Sequence, residues 1–150
     1  MTSISAAVRR LESGDCGLVG MLEGMWRAAA SGYRGADELL AETPVVPAWG
    51  DRVGDDGHPV WVGTIDGVVA GFLELDAVGS VASVLRVFVH PDARELGLGD
   101  DLLAAAIEFA RSAGCGRFEG TALPGDRLTK NLYERAGIVA RKVVLSTRLG

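Results

Sequence analysis

The sequence predicts a mixed α/β sheet carrying helices on its faces, in the order βααβββαβαβ. Three observations predict it. Short β-branched and aromatic runs alternate with stretches whose apolar residues recur at helical spacing, the pattern of a sheet covered by helices. Two of those runs meet at Asp66-Gly67, a pair that tolerates positive φ and so suits a two-residue hairpin turn. A chain of 150 residues, 48% of them hydrophobic, can also enclose one core without disulfides or metals, which places residues 1–150 in a single domain.

Taken in order, "ISAAVRRL" (4–11) reads as the first strand, and Asp15 as the N-cap of a helix running through "LVGMLEGMWRAAA" to about Ala30. "GADELLAE" makes a second, short helix. The loop "TPVVPAWGDRVGDDGHP" then gathers three of the five prolines. "VWVGTI" and "VVAGFLEL" form the hairpin. In the next strand, "SVLRVFVH", alternation puts Leu85, Val87 and Val89 on one face and Arg86 and Phe88 on the other. The helix from Leu98 to Ser112 presents Leu98, Leu102, Ala106 and Phe109 on one side and closes at Gly114. "RFEGTAL" is a strand, "GDRLTKNLYERAG" a helix ending at Gly137, and "ARKVVLSTRL" is expected as the last strand.

The totals exclude several classes of function. No uninterrupted apolar segment approaches the roughly 20 residues of a membrane helix, and "MTSISAAVRRLESGD" lacks the basic start and apolar block of a signal peptide, so a cytoplasmic, membrane-free protein is expected. Cys16 and Cys115 lie far apart, with no second Cys or His at ligand spacing; they read as buried thiols, with no metal site. The net charge of −5 and the lack of a basic cluster interleaved with aromatics argue against nucleic acid. Charge is nonetheless segregated: Gly35 to Asp76 holds nine acidic residues against Arg52, whereas the chain from Arg111 onward holds eight basic against three acidic. Either two solvated faces or a cation-attracting half beside an anion-tolerant half fits that division.

The stretch "VFVHPDARELGLGDDLLAAAIEFA" (87–110) carries the chemistry. A helix start leaves amide N–H groups unpaired and favours an anion there. Glycines at 97 and 99 let a diphosphate approach the backbone, and Arg94 can add a charge-assisted contact. For a G-x-G alone, a glycine turn with no ligand is the plainer reading. The P-loop is ruled out because no lysine follows either glycine. The dinucleotide fingerprint fails because Leu102 holds its third glycine position and seven residues separate the strand from Gly97.

"VFVHPDARELGLGDDLL" resembles the acetyl-CoA signature of the GCN5-related N-acetyltransferases, strand-V-x-P-x-x-R-x-x-G-x-G-helix, with Arg94, Gly97 and Gly99 on its key positions. "NLYERAGI" (131–138) resembles that family's later motif, L-Y-E-x-x-G-F, with Ile138 in place of the aromatic. The resemblance implies an acetyl-CoA-dependent N-acetyltransferase in which an amine attacks the thioester directly in a ternary complex. It implies that main-chain groups of Val87 and Val89 meet the pantetheine arm and the thioester carbonyl. The diphosphate would rest on N–H groups from Arg94 through Glu95, Leu96, Gly97 and Leu98 to Gly99. It further implies that Tyr133 protonates the departing thiolate, and that Asn131 can reach the pantetheine amides or simply face solvent.

The amine, with a free pKa of about 10.4, must lose a proton. Glu74 is the candidate base, with Asp76, Glu119 or no dedicated base as alternatives. Ser83 stands where many relatives carry a glutamate, and Asp126 and Thr129 stand where the second motif has asparagine and alanine. Glu95, Asp100 and Asp101 flank the expected diphosphate site and would repel it if they faced inward. The acceptor pocket is expected from residues 24–50, with Trp26, Tyr33 and Trp49 as aromatic walls and Asp37, Glu38 and Glu42 attracting a small cationic amine. A peptide amine, a homodimer, and an acyl-CoA-binding module without transferase activity stay open.

Overall fold

The computed structural model describes residues 3–150. Its elements run β1 (Ala6–Arg10), α1 (Cys16–Ala30), α2 (Ala36–Glu42), β2 (Val60–Ile65), β3 (Val68–Asp76), β4 (Val81–Val89), α3 (Leu98–Ser112), β5 (Arg117–Glu119) and α4 (Arg127–Arg135). Five strands form one sheet in the order β1-β2-β3-β4-β5. The first four pair antiparallel, and β5 lies parallel to β4. The β2–β3 turn is the expected one, with φ of 49° at Asp66 and 83° at Gly67.

Each face of the sheet buries its own core. On the α3 and α4 side, Trp61, Leu73, Leu75 and Val84 pack with Leu102, Ala106 and Leu132. On the α1 side, Val60, Val62, Phe72 and Phe88 pack with Val19, Leu22 and Trp49. The two sets alternate along the strands as a pleat requires, with one interruption that matters. Glu74 pairs with Arg86 and Leu75 with Val84, so Leu85 is a bulge residue. Beyond the bulge, Arg86 and Phe88 turn to α1, and Val87 and Val89 turn to α3.

Three expectations change. Asp15 does precede α1, but its carboxylate grips Arg9 through both oxygens (2.7 and 2.9 Å) and accepts the Glu12 N–H at 2.8 Å instead of capping the helix. The Arg9 hydrogen bonds hold this carboxyl below its ordinary range. Cys16 and Cys115 are free and only half-buried. The run "ARKVVLSTRL", expected as the last strand, forms no strand: residues 139–150 have no regular structure and lie exposed. Its β propensity is real, but a strand exists only by pairing with an edge.

Candidate active site

The functional region forms where β4 and β5 part. The two strands pair only at Val81–Arg117, Ala82–Phe118 and Ser83–Glu119, after which β4 runs on alone along that edge. Its phase is set from the other side. His90 donates its N–H to the Ala70 carbonyl (2.7 Å), which makes the even-numbered residues Phe88 and Arg86 the ones bonded to β3. Val87 and Val89 therefore turn their N–H and C=O groups into the fork. A small cavity of ≈ 30 Å³ lies there, walled by Trp26, Val84, Arg86, Val87, Asp126 and Tyr133 among others.

Past the fork, Pro91–Ala93 makes one short helical turn capped by His90, whose Nδ1 accepts the Asp92 N–H at 3.1 Å. Glu95 (φ 71°) and Gly97 (φ 81°) then both adopt left-handed conformations and turn the chain into α3. Among the described residues, the N–H groups of Glu95, Leu96 and Gly97 donate to no other group of the chain. Together with the first amides of α3 they present a concentrated patch of donors suited to phosphate oxygens. Gly99 has a second reason to be glycine, since a Cβ there would stand 3.3 Å from the Leu132 side chain of α4.

Arg94 lies folded over the Phe88 ring (5.5 Å), with its Nε buried and unbonded. Of the flanking acids, Asp100 is bound by Arg135 of α4 at 2.9 Å, while Glu95 and Asp101 stay exposed. The pair with Arg135 offsets one of the negative charges beside the loop.

Tyr133 is buried on the opposite wall of the fork. Burial first, and the charge of Asp126 second, push its phenol well above the ordinary value, so it holds its proton as a donor. Its place depends on Gly120, just beyond β5, where a Cβ would stand 2.1 Å from the ring's Cζ. Asp126 caps α4, accepting the Thr129 N–H (3.1 Å) and hydroxyl (2.7 Å), so the two substituted motif positions bond each other. Asn131 is exposed on α4 and stands apart from the cleft lining.

Glu74, the base expected from sequence, sits elsewhere. It is 0% exposed, with Oε2 held by Arg52 Nε at 2.9 Å and Oε1 by Arg86. Both oxygens are thus taken by guanidinium N–H groups, an arrangement that anchors strands and leaves no oxygen free to receive a substrate proton. Arg86 also pairs with the buried Glu23 at 2.8 Å and donates to the Pro44 carbonyl. Arg27 holds the carbonyls of Thr43 (2.6 Å) and Leu40 (3.2 Å), so this network ties the α2 segment to the sheet. Of the expected aromatic walls, Trp26 lines the cleft, Trp49 is core against Phe72 (5.6 Å), and Tyr33 lies at the surface beside Gly125. Sequence reasoning missed Arg86, Glu23 and Gly120; the one visible signal was an arginine inside an otherwise apolar strand.

A sheet forked beside a bed of free amides defines the acyl-CoA N-acyltransferase architecture. The chain belongs to the Acetyltransferase (GNAT) family, whose sequence model matches residues 22–138. No curated protein matches it by sequence. Among solved structures it is similar to the aminoglycoside N-acetyltransferase AAC(6')-Iy bound to a CoA bisubstrate analogue, with TM-score 0.73, 17% identity, and 97% of this chain and 99% of that one covered. It is also similar to yncA of Salmonella typhimurium, a putative acetyltransferase solved with acetyl-CoA (TM-score 0.66, 21% identity, 88% and 78% covered). A third is a ribosomal-protein-alanine N-acetyltransferase of Brucella melitensis (TM-score 0.66, 16% identity, 98% and 100% covered). Among the described residues no helix is long and apolar enough to cross a membrane.

Proposed function

We propose that the protein transfers an acetyl group from acetyl-CoA to the primary amine of a small cationic acceptor, by direct attack in a ternary complex. One observation carries the reading: the main chain of Val87 and Val89 faces an open fork, with the free amides of residues 95–97 at one end and the protonated phenol of Tyr133 across it. The amides receive the diphosphate, and Val87 and Val89 extend hydrogen bonds to the pantetheine arm. When the amine nitrogen bonds to the thioester carbon, an N–H of this strand meets the developing oxyanion. As the carbon–sulfur bond breaks, Tyr133 gives its proton to the leaving sulfur. The proton lost by the amine passes to solvent water, since Glu74 is closed off and both Asp126 oxygens accept from Thr129.

The cationic acceptor is supported by Asp126 in the cleft and by Asp37, Glu38 and Glu42 on the neighbouring α2. Aminoglycosides and ribosomal-protein alanine, the acceptors named for the structural relatives, both belong in the first screen. The purified protein is incubated with acetyl-CoA and a panel of amines while free thiol is followed. Thiol release that requires an amine is expected. Saturable CoA binding with no release on any amine would leave only the binding module.

A further inference from the structure

We propose that Arg86 and Arg27 are positioning residues for the acceptor: together they clamp the C-terminal end of α2 and so fix the acceptor side of the cleft relative to the strand that presents the thioester. The inference rests on the transfer reading above and says how its second substrate is held in place.

A helix as short as α2 does not place itself. Its seven residues fall below the length at which a helix persists alone, and of them Ala36 is the one that is buried. Yet it supplies Leu39 to the cleft in which Val87 and Tyr133 also stand. The sequence explains why its end needs outside partners. Pro44 has no N–H, so the Leu40 carbonyl lacks the donor that a continuing helix would bring four residues on.

Arginines supply the missing donors. Arg27 donates to the carbonyls of Leu40 (3.2 Å) and Thr43 (2.6 Å), and Arg86 donates to that of Pro44. Three carbonyls within five residues thus end on two guanidinium groups. Arg86 is itself fixed: it is 3% exposed, hydrogen-bonded to Glu74 of β3 and ion-paired with Glu23 of α1 at 2.8 Å. It also directly precedes Val87 in β4, and its guanidinium carbon lies 5.8 Å from the ring centroid of Trp26, the aromatic of the cleft. One side chain therefore joins the donor strand, α1 and the end of α2. Transfer needs the amine nitrogen about 3–3.5 Å from the thioester carbon, and a misplacement of about 1 Å can cost 10²-fold in rate.

Two variants separate positioning from stability. Arg27→Met removes two carbonyl contacts at a partly exposed side chain and leaves the Arg86 pairs with Glu23 and Glu74 in place. Arg86→Met combined with Glu23→Gln and Glu74→Gln removes the third contact without leaving a buried carboxylate unpaired. Each is compared with the wild type in amine kinetics at saturating acetyl-CoA, CoA calorimetry, thermal unfolding, and hydrogen exchange at residues 39–43. Expected for both are kcat/KM for the amine lower by roughly 10²-fold, with exchange at 39–43 faster. CoA affinity should stay within about twofold, because the clamp touches no part of the CoA bed. A folded variant with wild-type kcat/KM overturns the proposal. So does an equal loss of CoA affinity, or a loss that a lowered unfolding temperature accounts for by itself. A wild type that acetylates no amine overturns the transfer reading as well, so the wild-type rate tells the two failures apart.

Discussion

The two walls of the fork are built on opposite principles. On the α1 side, charge is saturated: Arg86 sits between Glu74 and Glu23, Arg52 takes the second Glu74 oxygen, and Arg27 and Arg86 hold the carbonyls of Leu40, Thr43 and Pro44. On the α4 side, placement is steric, with Tyr133 resting where Gly120 lacks a side chain and a single carboxylate, Asp126, beside it. The contrast separates holding from reacting. The paired charges of the α1 wall keep the pocket's shape, and the proposed chemistry is assigned to the wall with a proton still to give.

That division breaks first at Arg86. Arg86→Met leaves two carboxylates buried without their shared partner, a loss of about 3–5 kcal/mol. Urea unfolding measures it, and adding Glu23→Gln and Glu74→Gln to the same chain should recover most of it. Destabilisation under about 1 kcal/mol would mean that the α1 wall is held by packing and that its ion pairs contribute little.

The walls also differ in how well sequence foretold them. The hairpin, α3 and the glycine loop were legible because their signals are local: Asp66-Gly67 for the turn, helical spacing from Leu98 to Ser112, and glycines at the helix start. Val87 and Val89 were placed on a common face, and the ladder puts both at the fork. Glu74, by contrast, has a role set by what lies across from it. Its contact with Arg86 arises from a register and a bulge at Leu85 that join residues far apart in the chain. Gly120 likewise reads as one glycine within the expected strand "RFEGTAL", whereas β5 ends at Glu119 and α4 folds back over Gly120. The run "ARKVVLSTRL" carries the composition of a strand yet forms none, because propensity alone does not supply an edge to pair with.

The next effect in size concerns Tyr133. Tyr133→Phe should lower turnover by about 10²–10⁴-fold with little change in CoA affinity, and Gly120→Ala should do nearly the same by pushing the ring aside. In the Tyr133→Phe background, Gly120→Ala should cost little more turnover. Fully additive losses would show that Gly120 acts on something other than this ring. The phenol gives a pH signature too. Unfolded, it ionises near 10.0, whereas the folded protein holds its proton to higher pH. Its contribution to stability is therefore complete below pH 10 and drains away above it, and Tyr133→Phe should flatten that alkaline decline in thermal unfolding.

Arg94 comes next, with an effect confined to one ligand. Its guanidinium covers Phe88 with a buried, unbonded Nε. Arg94→Ala should weaken CoA about tenfold by calorimetry, the worth of one charge-assisted contact. Unchanged affinity would assign Arg94 to packing on Phe88.

The smallest effect probes the reactive wall most selectively. Asp126 both caps α4 and places charge in the cleft, and Asp126→Asn separates the two roles, because asparagine caps a helix as well as aspartate does. Stability should stay within about 0.5 kcal/mol, while KM for a cationic amine rises several-fold, in keeping with about 1 kcal/mol for one partly screened charge. The same change removes one of the two causes that raise the Tyr133 phenol, so the alkaline decline in stability, which still starts at the unfolded ionisation near 10.0, should be smaller. A neutral acceptor should be nearly indifferent to the substitution. Equal losses on neutral and cationic amines would place Asp126 with the structural groups and leave the cleft's preference for cations to the acids of α2.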